Sequence, residues 1–179
     1  MMAIMTGAAS PSSTPSDETV HPSGITILRS LPSTPTQLPE NLGLALDDAN
    51  RASIDDPADL SFPWVDRASG TLVVAASTPA GMAKAAQFQP ARVANTAIRT
   101  VSVKHSRAYI QKIMDETVGC GNLADVELTA ADPEHNRAIL WVDTAASDAF
   151  LHSLAAKYDP SAIAVYVLDQ PLNLQPLFG

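Results

Sequence analysis

The residue types that carry most protein chemistry are few in this chain and lie far apart. The histidines are His21, His105, His135 and His152, and none stands four positions from another or from a cysteine, the spacing that holds zinc on a helix. Cys120 is the single cysteine, lies between two glycines and has no base beside it. We therefore expect no metal, no cofactor and no disulfide, and we interpret Cys120 as an ordinary small side chain.

Motifs for nucleophilic catalysis and phosphate binding are also missing. No Gly-x-Ser-x-Gly elbow occurs, and Ser69-Gly70 is better explained as a turn. No glycine-rich stretch leads to Gly-Lys-Ser/Thr. The adjacent carboxylates Asp115 and Glu116 point apart on a helix, so they do not form an acid–base pair. The sequence therefore predicts no hydrolase and no nucleotide site.

Charge bears on the choice of partner. The formal net charge is −8 and the pI is about 4.7, so nucleic acid and membrane surfaces are expected to repel this chain. Five of the eleven basic residues nevertheless fall between positions 92 and 112, namely Arg92, Arg99, Lys104, Arg107 and Lys112. They either balance charge on an exposed helix and strand or form a docking patch for an acidic protein. On the second interpretation, Arg99, Lys104 and Arg107 contact the partner.

The chain carries no visible targeting signal. It has no run of 18 apolar residues, and its first residues lack the basic region of a signal peptide. As written, the sequence is expected to be cytoplasmic.

The elements that position these side chains begin late in the chain. Residues 1–40 are rich in Ser, Thr and Pro, which predicts a disordered arm. Residues 25–28 (ITIL) are the exception, with the pattern of an edge strand. Residues 41–61 are interpreted as a linker or a short helix that ends before Pro57.

Residues 62–170 carry the pattern of an α+β domain. Strands are predicted at residues 71–76, 98–103, 125–129, 137–142 and 162–167. Helices are predicted over residues 79–88 and 107–118, capped by Thr78 and Ser106, and from Thr144 to about residue 158. The predicted core includes Val73, Ile110, Ile139, Trp141, Leu154 and Val165.

The order of these elements contains an internal echo. Residues 70–103 and residues 136–167 both run turn, strand, hydroxyl-capped helix, strand. The whole order is βαβ-α-ββαβ, and right-handed crossovers place the helices on one face of a sheet. We therefore expect an open-faced sandwich of the ferredoxin-like type.

Three short stretches carry a family resemblance. Residues 69–74 (SGTLVV), 103–107 (VKHSR) and 132–137 (DPEHNR) resemble the region that precedes the protease domain in actinobacterial secreted chymotrypsin-like serine peptidases, of the α-lytic protease and streptogrisin type. The resemblance covers about residues 62–168. It implies a secreted, non-catalytic folding assistant and inhibitor whose protein partner is a serine peptidase domain. The peptidase's own Gly-Asp-Ser-Gly-Gly motif is absent from this chain.

Two alternatives stay open at this stage. A ferredoxin-like scaffold also serves small-molecule-sensing regulatory domains, so fold alone does not choose between sensing and protein binding. The apolar tail, residues 171–179, either folds back over its own sheet or is an extended segment that docks on the partner by strand addition. On the docking hypothesis the contacts are made by Leu172, Leu174, Leu177 and Phe178.

Overall fold

A computed structural model of the protein describes residues 18–30, 37–118, 126–143 and 146–168. Within these ranges the fold is mixed α/β. The four α-helices are α1 (Glu40–Asp55), α2 (Pro79–Gln87), α3 (Arg107–Thr117) and α4 (Asp148–Lys157), and a 3-10 turn covers Pro160–Ala162. The eight strands are β1 (Glu18–Val20), β2 (Thr26–Leu28), β3 (Trp64–Asp66), β4 (Thr71–Ala76), β5 (Ile98–Ser102), β6 (Val126–Asp132), β7 (Arg137–Asp143) and β8 (Ile163–Leu168).

The strands form two sheets. The larger has the order β1-β2-β8-β7-β6, and the smaller has the order β3-β4-β5. In each sheet the strands joined through a helix, β4 with β5 and β7 with β8, are parallel neighbours. No helix in the described part of the chain is long and apolar enough to cross a membrane.

The chain contains two structural repeats. A helix, a β-hairpin, a second helix and a parallel strand follow one another as α1-β3-β4-α2-β5 and again as α3-β6-β7-α4-β8. The strand registers correspond. In the hairpins, the pair Asp66–Thr71 of the first repeat corresponds to the pair Asp132–Arg137 of the second. In the parallel pairs, Leu72–Ile98 corresponds to Ala138–Ile163. The internal echo predicted from the sequence is confirmed, and it extends to the hairpin strand and the helix that precede each predicted half.

Each repeat builds its core in the same way, with one face of its central strand covered by two helices. Because side chains alternate along a strand, every second residue faces the helices. In the first repeat these are Leu72, Val74 and Ala76 against Ala45, Ala49 and Ala85. In the second they are Ala138, Leu140 and Val142 against Ile110, Ile113, Phe150, Leu151 and Leu154. Five of the six predicted core residues are buried, and Trp141 is half-buried on the face of its sheet that lies away from the helices.

The prediction of a disordered arm over residues 1–40 is wrong for residues 18–24, and the strand predicted at residues 25–28 is present as β2. These residues form the antiparallel pair β1 and β2, and β2 adds to β8 in parallel, so it lies inside the sheet and not at its edge. Ile25 and Leu28 are buried against the second repeat, which supplies the apolar surface that the arm alone lacks. Residues 1–17 and 31–36 lie outside the described ranges. For residues 41–61, predicted as a linker or a short helix that ends before Pro57, the structure has a helix, α1, which ends at Asp55.

The single ferredoxin-like sheet is not confirmed, although the order of elements from β4 to β8 is as predicted. In a ferredoxin-like sheet, the two strands that a helix connects are not neighbours, because a strand from the other half of the domain lies between them. Here those strands are direct neighbours in both sheets, so no strand of one repeat inserts into the other. Helix α4 also begins later than predicted, because Ser147 and not Thr144 is its N-cap and accepts from the Phe150 N–H at 3.2 Å.

Candidate functional site

Of the three cations predicted to contact a partner, two pair with carboxylates and the third lies over an aromatic ring. The exposed Arg99 on β5 lies 3.5 Å from an Asp66 oxygen, and Lys104 lies 2.6 Å from Asp159. Arg107, at the start of α3, stacks over the Phe62 ring, with 4.1 Å from its guanidinium carbon to the ring centre. Because these three cations already have partners, a docking surface for an acidic protein gains little from them.

The two remaining basic residues of the stretch from 92 to 112 are also paired with carboxylates. Arg92 binds Asp48 at 2.7 Å, and Lys112 lies 3.9 Å from Glu116 one helical turn away. The predicted tail contacts, Leu172, Leu174, Leu177 and Phe178, lie outside the described residues.

A polar cluster holds the connection between the two repeats against the second repeat, and sequence reasoning missed it. The His105 Nε2 atom lies 3.1 Å from the Ser161 hydroxyl oxygen, and its ring stacks on Tyr109. Lys104 donates to the same hydroxyl oxygen at 3.1 Å and also binds Asp159. We call His105, Ser161, Lys104, Tyr109 and Asp159 the polar junction. Lys104 and His105 lie in the connection between β5 and α3, and Tyr109, Asp159 and Ser161 lie in the second repeat, so no local motif marks the cluster.

The electrostatics of the polar junction follow from its burial and its hydrogen bonds. Burial lowers the pKa of His105, with Asp159 opposing and Lys104 reinforcing that shift. Hydrogen bonds from Lys104 and Ser161 lower the pKa of Asp159 to about 2. At neutral pH the junction therefore holds a neutral imidazole beside a charged Lys–Asp pair.

The polar junction has a serine–histidine distance suited to proton transfer, but its other contacts are structural. The Ser161 N–H and hydroxyl both bind Asp159 Oδ1, at 3.0 and 2.8 Å, because Asp159 is the N-cap of the 3-10 turn. Among the described residues, no side chain hydrogen-bonds to the Nδ1 atom of His105 to orient it. The geometry therefore supports a structural contact that fixes the connection between the repeats to the 3-10 turn of the second repeat.

A second site lies along helix α3, where two open clefts of about 570 and 500 Å³ adjoin. Gln111 and Asp115 line both clefts and separate them. We call the combined surface the α3 groove. The first cleft is bordered by Ile54, Pro57, Arg107, Ala108, Lys112 and Glu116, and the second by Phe62, Met114, Val118 and residues 128–131 of β6.

The α3 groove concentrates exposed apolar surface. Four large apolar side chains of the described residues are exposed, and three of them line the groove: Ile54 at 58%, Val118 at 41% and Leu128 at 46%. The fourth, Val20 on β1, is 72% exposed and lines neither cleft. Scattered exposed apolar residues are ordinary, but a cluster along one groove indicates a binding surface.

Among the polar groups that line the groove, the Asp115 carboxylate has no cation and the edge of β6 has no neighbouring strand within the described ranges. Asp115 accepts from the Gln111 amide at 2.8 Å, and no cation of the described residues pairs with it. Its neighbour Glu116 is engaged by Tyr158 and Lys157, whose hydrogen bonds lower its pKa. Strand β6 is the last strand of the larger sheet, so one side of its backbone has no strand partner in the described ranges.

Metal binding finds no support in the described part of the chain, where no three His, Cys, Asp or Glu side chains are grouped closely enough to hold an ion. Compared with protein-family models and with curated proteins, the sequence gives no match.

Proposed function

We propose that this protein is a non-catalytic module that binds another protein through the α3 groove. The observation that carries the proposal is the collection of Ile54, Val118 and Leu128 along one groove, beside a strand edge that no described strand covers. Covering apolar surface contributes roughly 25 cal/mol per Å², so three such side chains provide a useful part of a binding free energy.

The partner's chemistry follows from the lining of the groove. An extended segment that pairs with β6 satisfies the outward amides and carbonyls of that strand and presents alternate side chains to the cleft between β6 and α3. Apolar side chains fit between Val118 and Leu128. A lysine or arginine of the partner meets Asp115, which has no cation of its own within the described ranges.

The class of partner rests on the family resemblance of residues 62–168. It implies a chymotrypsin-like serine peptidase domain that the module folds and inhibits. In the same proposal, residues 171–179 dock on the peptidase as an extended segment.

The test is a binding and inhibition titration against a streptogrisin-type serine peptidase domain. The binding assay uses peptidase with its catalytic serine replaced by alanine, and the inhibition assay uses active enzyme. We expect the wild-type chain to bind and inhibit. We expect the Val118→Lys/Leu128→Lys variant to bind at least about tenfold more weakly, because two desolvated charges replace the apolar contact.

Val20→Lys is the matched control, because it makes the same change at an exposed valine outside the groove. It is expected to bind like the wild type. Thermal unfolding of all three chains checks that the variants stay folded. Equal affinity of the double variant and the wild type excludes the groove. Absence of any binding by the wild type excludes this class of partner.

Deletion of residues 171–179 tests the tail separately. We expect weaker inhibition with an unchanged melting temperature. A lower melting temperature with unchanged binding contradicts the proposed role of the tail.

A further inference from the structure

The two repeats differ at one strand position. In the second repeat, β8 pairs with β7 on one side and with β2 on the other. In the first repeat, the equivalent strand β5 pairs with β4, and no described strand lies on its second side. Comparison of the two repeats therefore identifies an edge of β5 that could accept another strand, at the position that β2 occupies beside β8.

Burial shows the consequence of this difference. Ile163, Ala164 and Val165 of β8 are fully buried. Their register counterparts on β5 are not: Ile98 is half-buried, Arg99 is exposed, and Thr100 is half-buried. Met82 and Phe88, which like Ile98 pack against the core of the first repeat, also remain only partly buried. A strand added to β5 covers apolar surface that the described residues leave open.

The β5 edge lacks the features that block strand addition. Exposed edges in soluble proteins are usually short, bulged, or marked by proline or lysine. Strands β1 and β3, at the other ends of the same two sheets, have three residues each. Strand β5 has five residues in regular register, contains Ile98, Thr100 and Val101, and has neither proline nor lysine. Its one charge, Arg99, faces Asp66 of its own sheet.

The hydrogen bonds at both ends of β5 define which backbone groups face outward. The Ala97 carbonyl accepts from Leu72, and the Val103 N–H donates to the Ala76 carbonyl, both at 2.9 Å. Because the direction of the backbone polar groups alternates along a strand, odd-numbered residues face β4. The amides and carbonyls of Ile98, Thr100 and Ser102 therefore point away from the sheet.

We propose that a second copy of this chain binds here, with the two β5 strands antiparallel about a two-fold axis at Thr100. This register pairs Thr100 with its own copy and Ile98 with Ser102, so the outward groups of both strands are satisfied. The two sheets join into one, with their helices on the same side. The partly buried apolar side chains Met82, Phe88 and Ile98 of the two copies then lie beside one another across the axis.

A second copy fits this edge better than an unrelated strand, because the edge is complementary to itself. In the antiparallel register Arg99 lies opposite Val101 of the other copy, and Asp66 balances its charge. The contact is short, so we expect dissociation in the micromolar range. The dimer uses β5 and leaves the α3 groove open, so it does not depend on the proposed partner.

The test measures mass by sedimentation equilibrium over a roughly hundredfold range of concentration. We expect the wild type to pass from monomer to dimer. Thr100→Pro removes the outward N–H at the axis while leaving the β4 ladder intact, so it is expected to remain monomeric. Thr100→Val keeps that N–H and is expected to dimerise like the wild type. A monomeric wild type, or dimerisation of Thr100→Pro at wild-type strength, overturns the proposal.

Hydrogen exchange on the wild type keeps the test decisive if Thr100→Pro fails to fold. The amides of Ile98, Thr100 and Ser102 are expected to exchange more slowly as concentration rises. A dimer without this protection uses another surface and overturns the proposal. Protection of the same amides in the monomer means that a segment of the same chain fills the edge, which also overturns it.

Discussion

The side chain of Asn136 pairs with the main chain of His105 as a neighbouring strand would. Its Oδ1 atom accepts from the His105 N–H at 2.7 Å, and its Nδ2 atom donates to the His105 carbonyl at 2.9 Å. The same Nδ2 atom donates to the Ser61 hydroxyl at 2.9 Å. Asn136 is buried and has a φ of 54° at the turn before β7. The equivalent residue of the first repeat is Gly70, before β4, which has a φ of 64°. One side chain therefore ties the hairpin of the second repeat to the first.

Asn136→Ala should destabilise the protein by about 2–4 kcal/mol, because it leaves buried polar groups unpaired and keeps a left-handed backbone. Urea unfolding followed by circular dichroism measures the change. Asn95 is the control, since it has a φ of 60° but is exposed and makes no described side-chain hydrogen bond. Asn95→Ala should cost only the backbone strain, about 1 kcal/mol. Equal losses in the two variants would contradict a joint at Asn136.

His135 should make the protein more stable at acidic than at basic pH. Its hydrogen bond to Asp132, at 3.0 Å, raises its pKa above the ordinary value near 6.5. The folded state therefore holds the proton more tightly. The resulting stability is fully present below about pH 6.5 and is lost as pH rises through the folded pKa. The deficit of His135→Gln in the free energy of unfolding should be larger at about pH 5.5 than at about pH 8.5, by less than about 1 kcal/mol because His135 is half-exposed.

His105 should have the opposite effect on the pH dependence of stability, because its contribution is lost at acidic pH. Burial lowers its pKa, so the unfolded chain takes up the proton first as pH falls below about 6.5, and the folded state loses stability there. His105→Gln loses the ring contact with Tyr109 at every pH. Its deficit should nevertheless shrink between about pH 7.5 and pH 5.5, measured by urea unfolding at each pH. A deficit that grows on acidification would mean that His105 is charged in the folded state.

Two helical glycines should respond oppositely to alanine. A Cβ atom on Gly81 in α2 would lie 2.3 Å from the Asp59 carbonyl oxygen, whereas one on Gly43 in α1 meets nothing within 4 Å. Gly81→Ala should therefore destabilise by about 2 kcal/mol or more, because backbone must move. Gly43→Ala should stabilise by roughly 0.5–1 kcal/mol through reduced chain entropy. Melting temperatures that shift in the same direction would contradict this packing.

Leu154→Ala should cost about 2–5 kcal/mol, because Leu154 is 1% exposed between α4 and the larger sheet. Leu128→Ala is the control, since Leu128 is 46% exposed and its loss should change stability by less than about 0.5 kcal/mol. Calorimetric unfolding compares the two variants. A Leu154→Ala loss as small as that of the control would mean that this helix face is not part of the core.

Local chemistry made the elements of the repeats predictable. Thr78 and Ser106 were identified as helix caps from hydroxyl and proline positions, and both accept the expected backbone N–H. The short apolar runs around Val73 and Ile139, each preceded by a turn, predicted β4 and β7. The polar junction was not predictable in this way, because His105 and Ser161 meet only after each repeat has folded.

The sequence by itself determined the order of helices and strands from β4 to β8, since capping, periodicity and turn residues act over a few neighbours. Tertiary structure decided which strands pair. The sequence marked β2 as an edge strand, but its place between β1 and β8, and β1 itself, depend on the β8 edge and on the apolar surface that buries Ile25. The division into two sheets and the gathering of Ile54, Val118 and Leu128 along one groove likewise follow from contacts between distant residues.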